Sequence, residues 1–363
     1  MPMNFEPTEL PVEKEVICRR LVDGTAGRVF VLGRNKYADS VASTLHVEGF
    51  LDDYTREREY LGRPVMRLAD VPAGATVVSC VVDGRPVTAI DRVRQSFADR
   101  WLEYFALTRF APDRFRPIDF STWNRRDILE NRAKYTWLHA RLADEESRTT
   151  LERVTRFRLT WDLEAMRGFV VDFERQYFEA FAPFAAGDVF VDGGGFDGQT
   201  TCRFVTRCPG YRRVYYFEPG PDAMECSRGA LTGLRDIVFV QKGLFNRGGV
   251  VSFDDTGGPT SRIASDGGVV IPVTRLDDEL SEVSFLKLDV EGAEVHALKG
   301  ARERIRANHP TIAACVYHDQ RHFWQIPELV LGLREDYAVY LRHYTEGVFE
   351  TVMYFVPRRS GLR

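Results

Sequence analysis

The chain has 363 residues, 44% of them hydrophobic and 28% charged, with a formal net charge of −4. That balance supplies core material for one large or two ordinary globular domains and gives no electrostatic case for nucleic acid. Short basic clusters such as "RFRLTWD" and "RERIRAN" are interleaved with acids, as solvated helix faces are.

In chain order, the first zone covers about 25–95. "RVFVLG" (28–33) and "TVVSCVV" (76–82) read as buried strands, with a helical stretch "YADSVASTLHVEG" and the short runs "FLDD" and "RPVM" between them. Apolar runs alternating with helical segments predict a small, mainly parallel α/β unit, domain 1–95. Only Gly33 stands where a dinucleotide site would want two or three glycines, so a structural or subunit-contacting role is expected there. The stretch 96–172 is rich in Arg, Glu and aromatics at helical spacing and predicts a helical connector. "FERQYFEAFAPF" (173–184) reads as one more amphipathic helix, and it opens a third zone, domain 173–363.

That zone alternates clearly. Strands are predicted at 188–192, 213–218, 236–241, 283–289, 311–317, 336–341 and 349–356, the last two as a hairpin that puts an antiparallel strand into a parallel sheet. "GVVSFDD" and "GGVVIPV" read as short antiparallel strands around a hydroxyl-rich loop, "DDTGGPTSRIAS" (254–265). No apolar run reaches the length of a membrane-spanning helix, and "MPMNFEPTELPVEKEV" lacks a basic-then-apolar signal pattern. The six cysteines include no C-x-x-C pair. A cytoplasmic protein with reduced thiols and no membrane partner is expected.

The motif "DVFVDGGGFDGQT" (188–200) satisfies G-x-G-x-x-G literally through Gly193, Gly195 and Gly198. A glycine turn between strand and helix places a ligand at the carboxyl ends of the strands. Asp192 and Asp197 would repel a pyrophosphate by about 4 kcal/mol for charges about 4 Å apart at an effective dielectric of 20. The same carboxylates attract the sulfonium and ammonium of S-adenosylmethionine. Glu218, ending "VYYFEP", can accept ribose hydroxyls of either ligand.

"FVDGGGFDGQTT", "YYFEP", "VTRLDDELSEVSFLKLDVEGAEVHALKGARERI" (273–305) and the closing "AACVYHD…LRHYTEGVFETVMYF" resemble the FkbM-type methyltransferases, S-adenosylmethionine-dependent enzymes that usually methylate hydroxyl groups. The likeness covers roughly 173–357; Gly195 and Phe196 depart from the small residue and Asn common in the family. The resemblance implies a class I methyltransferase fold: an α/β, doubly wound, seven-stranded mixed sheet with an antiparallel last strand. It puts Asp192, Gly193, Gly194, Gly195, Phe196, Asp197 and Gly198 at the methionine end, Glu218 and Pro219 at the ribose, and Gly243 and Leu244 near the adenine.

Methyl transfer to an alcohol needs alignment and a way to lose a proton. Asp289, at the end of "SFLKLDV", is expected to face the methyl group and the acceptor hydroxyl. Glu291 and Glu294 share one helix face and serve equally well as helix-start acids. His318, after "TIAACVY", is the candidate general base. Tyr177 and Phe178 are candidates to cover the cofactor, and His343 and Tyr344 to edge the acceptor pocket. No metal is expected, although Asp289, Glu291 and His318 could together hold a divalent ion, and His318 and His322 have i, i+4 spacing. The expected partner is a small-molecule or glycan acceptor bearing a hydroxyl, with a second copy of the chain left open. Two other readings stand beside this one: an NAD-dependent oxidoreductase with two Rossmann units, and a non-catalytic S-adenosylmethionine-binding protein.

Overall fold

Runs of Val, Ile, Leu and Phe bounded by glycines fold here as buried parallel strands, and the polar, 3.6-periodic stretches between them fold as helices that cover the sheets. The structure is a computed structural model, and it describes every residue except 1, 2, 4, 7, 8, 122, 255–261, 264–268 and 359–363. The chain divides into two compact units: Met1–Glu130, Leu151–Asp172 and Tyr344–Phe349 form the first, and Asn131–Thr150, Phe173–His343 and Glu350–Arg363 the second. The stretch 96–172, read as a connector, is thus shared between them.

In the first unit the strands β1 (Val29–Leu32), β2 (Gly49–Leu51), β3 (Glu59–Tyr60), β4 (Arg63–Met66), β5 (Thr76–Ser79) and β6 (Trp101–Glu103) form a sheet of order β3-β4-β2-β1-β5-β6. Every pairing is parallel except β3 with β4. β6 comes from the stretch expected to be wholly helical; its Trp101, Leu102 and Glu103 are all buried and pair with β5. Two helices start near the carboxyl ends of β1 and β5, and both are capped from within the chain. Asn35 accepts the Tyr37 and Ala38 N–H groups at 3.0 Å each, starting the helix Lys36–Thr44. Glu346 accepts the Thr88 N–H at 2.7 Å and its hydroxyl at 2.6 Å, in the first turn of the helix Pro86–Phe97. These are the donors a phosphate would otherwise find.

The second unit holds β7 (Val189–Gly193), β8 (Arg213–Phe217), β9 (Ile237–Val240), β10 (Gly243–Leu244), β11 (Gly249–Asp254), β12 (Arg262–Ile263), β13 (Val269–Thr274), β14 (Phe285–Leu288), β15 (Thr311–Cys315), β16 (Tyr337–His343) and β17 (Thr351–Pro357). Seven of them build a mixed sheet of order β16-β17-β15-β14-β7-β8-β9, with β17 antiparallel to both its neighbours. The chain runs outward from β7 through β8 to β9 and then returns to β14 on the other side of β7. That reversal opens a crevice at the carboxyl ends of β7 and β14. A smaller sheet, β10-β13-β11-β12, contains as β11 and β13 the two short antiparallel strands expected at 249–255 and 267–273. Most of the loop 254–265 lies outside the described residues.

The stretch 173–184 is not a helix. Tyr177 adopts φ +69°, and its N–H donates to the Tyr354 hydroxyl at 3.0 Å instead of back along a helix. The aromatic side chains spread over the sheet: Phe181 stacks on Tyr340 with centroids 4.0 Å apart, and Phe184 packs on Phe204 and Phe285. Aromatic burial against several strands outweighs the helical spacing of these residues.

Leaving β7, the turn permits no side chain at two positions. Gly194 has φ +73°, and a Cβ there would overlap the Asp289 carbonyl; a Cβ on Gly195 would enter the Tyr216 ring, which is fully buried. Gly195→Ala should therefore cost about 1–3 kcal/mol of stability. A thermal melt matching wild type would contradict this packing.

Candidate active site

Strands β7 and β14 lie side by side, with Gly193 opposite Leu288 and Asp192 opposite Lys287. Asp192 is fully buried, and its carboxylate does not face the crevice as a free charge. Its Oδ1 lies 3.0 Å from Lys287 Nζ, and its Oδ2 accepts the Thr201 hydroxyl at 2.7 Å. Lys287 also donates to the Gly194 carbonyl at 2.6 Å. Burial pulls the Lys287 pKa down, but Asp192 and Asp289 outweigh it and hold the ammonium near 12. The attraction of Asp192 for a cationic ligand, expected from sequence, is taken up by Lys287.

The rest of the turn is fixed from Glu218. Its Oε2 accepts the Phe196 N–H at 3.0 Å and its Oε1 the Gly220 N–H at 2.8 Å; burial pushes its pKa up. Phe196 has φ +52°, its carbonyl accepts the Ser227 hydroxyl at 2.7 Å, and its side chain is 71% exposed at the mouth of the turn. Asp197 accepts the Gln199 N–H at 3.0 Å, and Gly198 caps the helix Gln199–Arg207 in the left-handed region. Gly243 lies beside Pro219, and the Leu244 side chain is buried against Gly193.

Across the crevice, four carboxylates and an imidazole converge after β14, β15 and the β16–β17 connection. Asp289 accepts the Tyr177 hydroxyl at 3.0 Å and the Tyr317 hydroxyl at 3.3 Å. His318 Nδ1 is 2.8 Å from Glu294 Oε1, while its Nε2 is 3.6 Å from Asp289 Oδ1 and 3.5 Å from Glu291 Oε2. Burial lowers the His318 pKa, but Glu294, Glu291 and Asp289 together raise it to about 9. Desolvation and the neighbouring carboxylates raise Glu291 to about 8 against the pull of His318. Burial and Asp289 likewise raise Glu350, which accepts a hydrogen bond from Gln176, to about 7.

Tyr177, Phe196, Glu291 and Glu350 are four of the ten described non-glycine residues with positive φ. Such conformations cost about 1–3 kcal/mol each and gather where a site over-determines the backbone.

Asp289, Glu294 and His318 bring metal-ligating atoms within 4.8 Å of one another. Glu294 is fully buried, however, and its oxygens meet the Val290 N–H at 3.0 Å and the imidazoles of His318 and His322. It has no open face for a cation. Among the other expected residues, His343 meets the Thr351 hydroxyl at 2.8 Å, Phe178 packs on Phe184, and Tyr344 belongs to the first unit.

Residues 185–345, which carry the turn, Glu218 and the Asp289–His318 cluster, match the family model for the methyltransferase FkbM domain. This segment is similar to the FkbM methyltransferase domain. The chain is similar over 95% of its length to the crystal structure of methyltransferase FkbM from Methylobacillus flagellatus KT, at 24% identity and a TM-score of 0.75 over 94% of that chain. An rRNA methylase from Streptococcus thermophilus aligns over 49% of this chain and 90% of its own, with 12% identity and a TM-score of 0.34. Aeropyrum pernix fibrillarin with natively bound S-adenosyl-L-methionine aligns over 49% and 70%, with 10% identity and a TM-score of 0.33. Among curated proteins no sequence matches the chain.

In the second unit, sequence reasoning missed Lys287 and Glu350. The signal for Lys287 was a charged residue in the middle of the apolar strand "SFLKLDV", which demands a buried counter-charge. Its partner lies 95 positions upstream, beyond the reach of local patterning. Lys287→Met leaves Asp192 buried and unpaired and should cost about 3–5 kcal/mol. Denaturant melts of the Asp192→Asn/Lys287→Met double variant should recover most of that loss. A double variant no more stable than the single one would contradict the pair.

Proposed function

We propose that the second unit is an S-adenosylmethionine-dependent methyltransferase acting on a hydroxyl of a sugar or secondary metabolite. The observation that carries this reading is His318, held by Glu294 with its Nε2 toward Asp289 and Glu291 at the switch-point crevice. Bound there, S-adenosylmethionine supplies a methyl group on a cationic sulfur. The residues present fit such a ligand. In this reading Gly193, Gly194 and Gly195 bring backbone rather than side chains to it, Glu218 takes the ribose hydroxyls, and Pro219 with Gly243 borders the adenine end. The carboxylates of Asp289, Glu291 and Glu350 favour a cation and oppose the pyrophosphate that an NAD-dependent reading requires.

His318 is the base in this reading. It takes the acceptor proton at Nε2, and Glu291, close by and raised toward neutrality, passes it to solvent. A cationic ligand beside Asp289 lowers the His318 pKa, so the base becomes available when the methyl donor is in place. Asp289, gripped by two tyrosines, sits where it can align the acceptor hydroxyl.

Calorimetric titration should give S-adenosylmethionine binding that Glu218→Ala weakens and His318→Gln preserves. Labelled methyl transfer to a panel of hydroxyl-bearing sugars and metabolites should fall about 10²–10⁴-fold in His318→Gln. Because the base works neutral, wild-type turnover should rise with pH on a limb at or below about 9. NAD binding without S-adenosylmethionine binding would overturn the assignment, and cofactor binding without transfer to any acceptor would leave a binding protein.

A further inference from the structure

Glu294 is the most enclosed carboxylate of the cluster, with no exposed side-chain surface, yet it touches neither the crevice nor an ordinary salt-bridge cation. It stands between two imidazoles. Oε1 meets His318 Nδ1 at 2.8 Å and the Val290 N–H at 3.0 Å; Oε2 lies 3.2 Å from His322 Nδ1. His322 is 4% exposed and lines a cavity of about 580 Å³ with His296, Lys299 and Arg321.

We propose that Glu294 is a positioning residue shared by two histidines: it fixes the tautomer and basicity of His318, and His322 sets how much of its charge His318 receives. The proposal rests on His318 being the base of the methyl transfer. A carboxylate at Nδ1 requires a proton there, so Nε2 is the nitrogen that accepts one, and it faces Asp289 and Glu291. The helix Glu294–Gly300 carries Glu294 as its first residue, and the helix His322–Leu333 carries His322 as its first. The two helix starts therefore meet through this one carboxylate.

Among the described residues, His318 is faced by Glu294, Glu291 and Asp289, with Glu350 and the Tyr317 hydroxyl beyond; His322 is faced by Glu294, Asp319 and His296, with Lys299 and Arg321 lining the same cavity. Burial pushes the Glu294 carboxyl up, but the two imidazoles hold it well below the usual carboxylate range, so it stays ionised wherever His318 titrates. Removing its charge takes away the largest influence that raises His318 against burial, and the His318 pKa falls. Removing His322 does the opposite, because the whole carboxylate then serves His318.

The test is an NMR titration of the His318 ring in the full-length, cofactor-free protein, which needs no methyl transfer. Glu294→Gln keeps the shape and an acceptor but not the charge, and should lower the His318 pKa by at least one unit. Glu294→Asp should restore part of the shift, and His322→Asn should raise the pKa. The pH limb of turnover should move the same way in each variant. An unshifted His318 in folded Glu294→Gln overturns the proposal, as does an unchanged or lowered His318 pKa in folded His322→Asn. Failure of methyl transfer with these shifts intact would instead count against His318 as the base.

Discussion

The backbone of the glycine turn lies directly against the backbone of the strand end that carries Asp289. The Asp289 N–H donates to the Gly193 carbonyl at 3.0 Å, and Gly194 leaves no room for a side chain before the Asp289 carbonyl. That contact sets how far the glycine turn can stand from the cluster of Asp289, Glu291 and His318. Lys287 secures it from beneath, pairing with Asp192 and donating to the Gly194 carbonyl. Loosening either strand would move the turn and the carboxylates apart together. The two halves of the site are therefore one mechanical element and not two neighbouring ones.

On that frame the electrostatics follow. Asp192 is neutralised by Lys287, so the charge presented to the crevice comes from Asp289, Glu291 and Glu350. Burial and Asp289 raise Glu291 and Glu350, and Glu294, Glu291 and Asp289 together raise His318 against its burial. A site so arranged is short of positive charge and long on acceptors, which is the condition a cationic methyl donor relieves. Glu294 stands apart in its burial: its oxygens meet the Val290 N–H and the two imidazoles, and its charge is the largest of those that raise His318.

Much of this was legible in the chain because the signals are local. Strands such as "DVFVDG" and "TIAAC" are short apolar runs between glycine or polar turns, and each of the seven strands of the large sheet overlaps the stretch its pattern indicates, to within two residues at its ends. The spacing of Glu218 from the glycines puts both at one end of the sheet, and there Glu218 accepts the Phe196 N–H of the turn. The stretch 173–184 was not: its aromatics recur at helical intervals, but Tyr177 and Phe181 are spaced to reach separate partners, Asp289 and Tyr340. Asp192 misled for a related reason. A carboxylate beside a glycine turn looks like a ligand-binding charge until a lysine on a distant strand is found to face it. The loop Tyr344–Phe349 reads as a hairpin tip, yet it belongs to the first unit, where Glu346 caps a helix. Nothing in six residues of sequence announces that partner.

The central claim is that the crevice is built for a positively charged methyl donor whose arrival frees His318 to act as a base. It is tested most directly by titrating the His318 ring by NMR in three states: free protein, with S-adenosylhomocysteine, and with S-adenosylmethionine in the absence of acceptor. The two ligands differ by the methyl group and its sulfonium charge. The account predicts a pKa near 9 in the free protein and a clearly lower value with S-adenosylmethionine than with S-adenosylhomocysteine. Equal values for the two ligands, or a rise on binding the sulfonium, would contradict it.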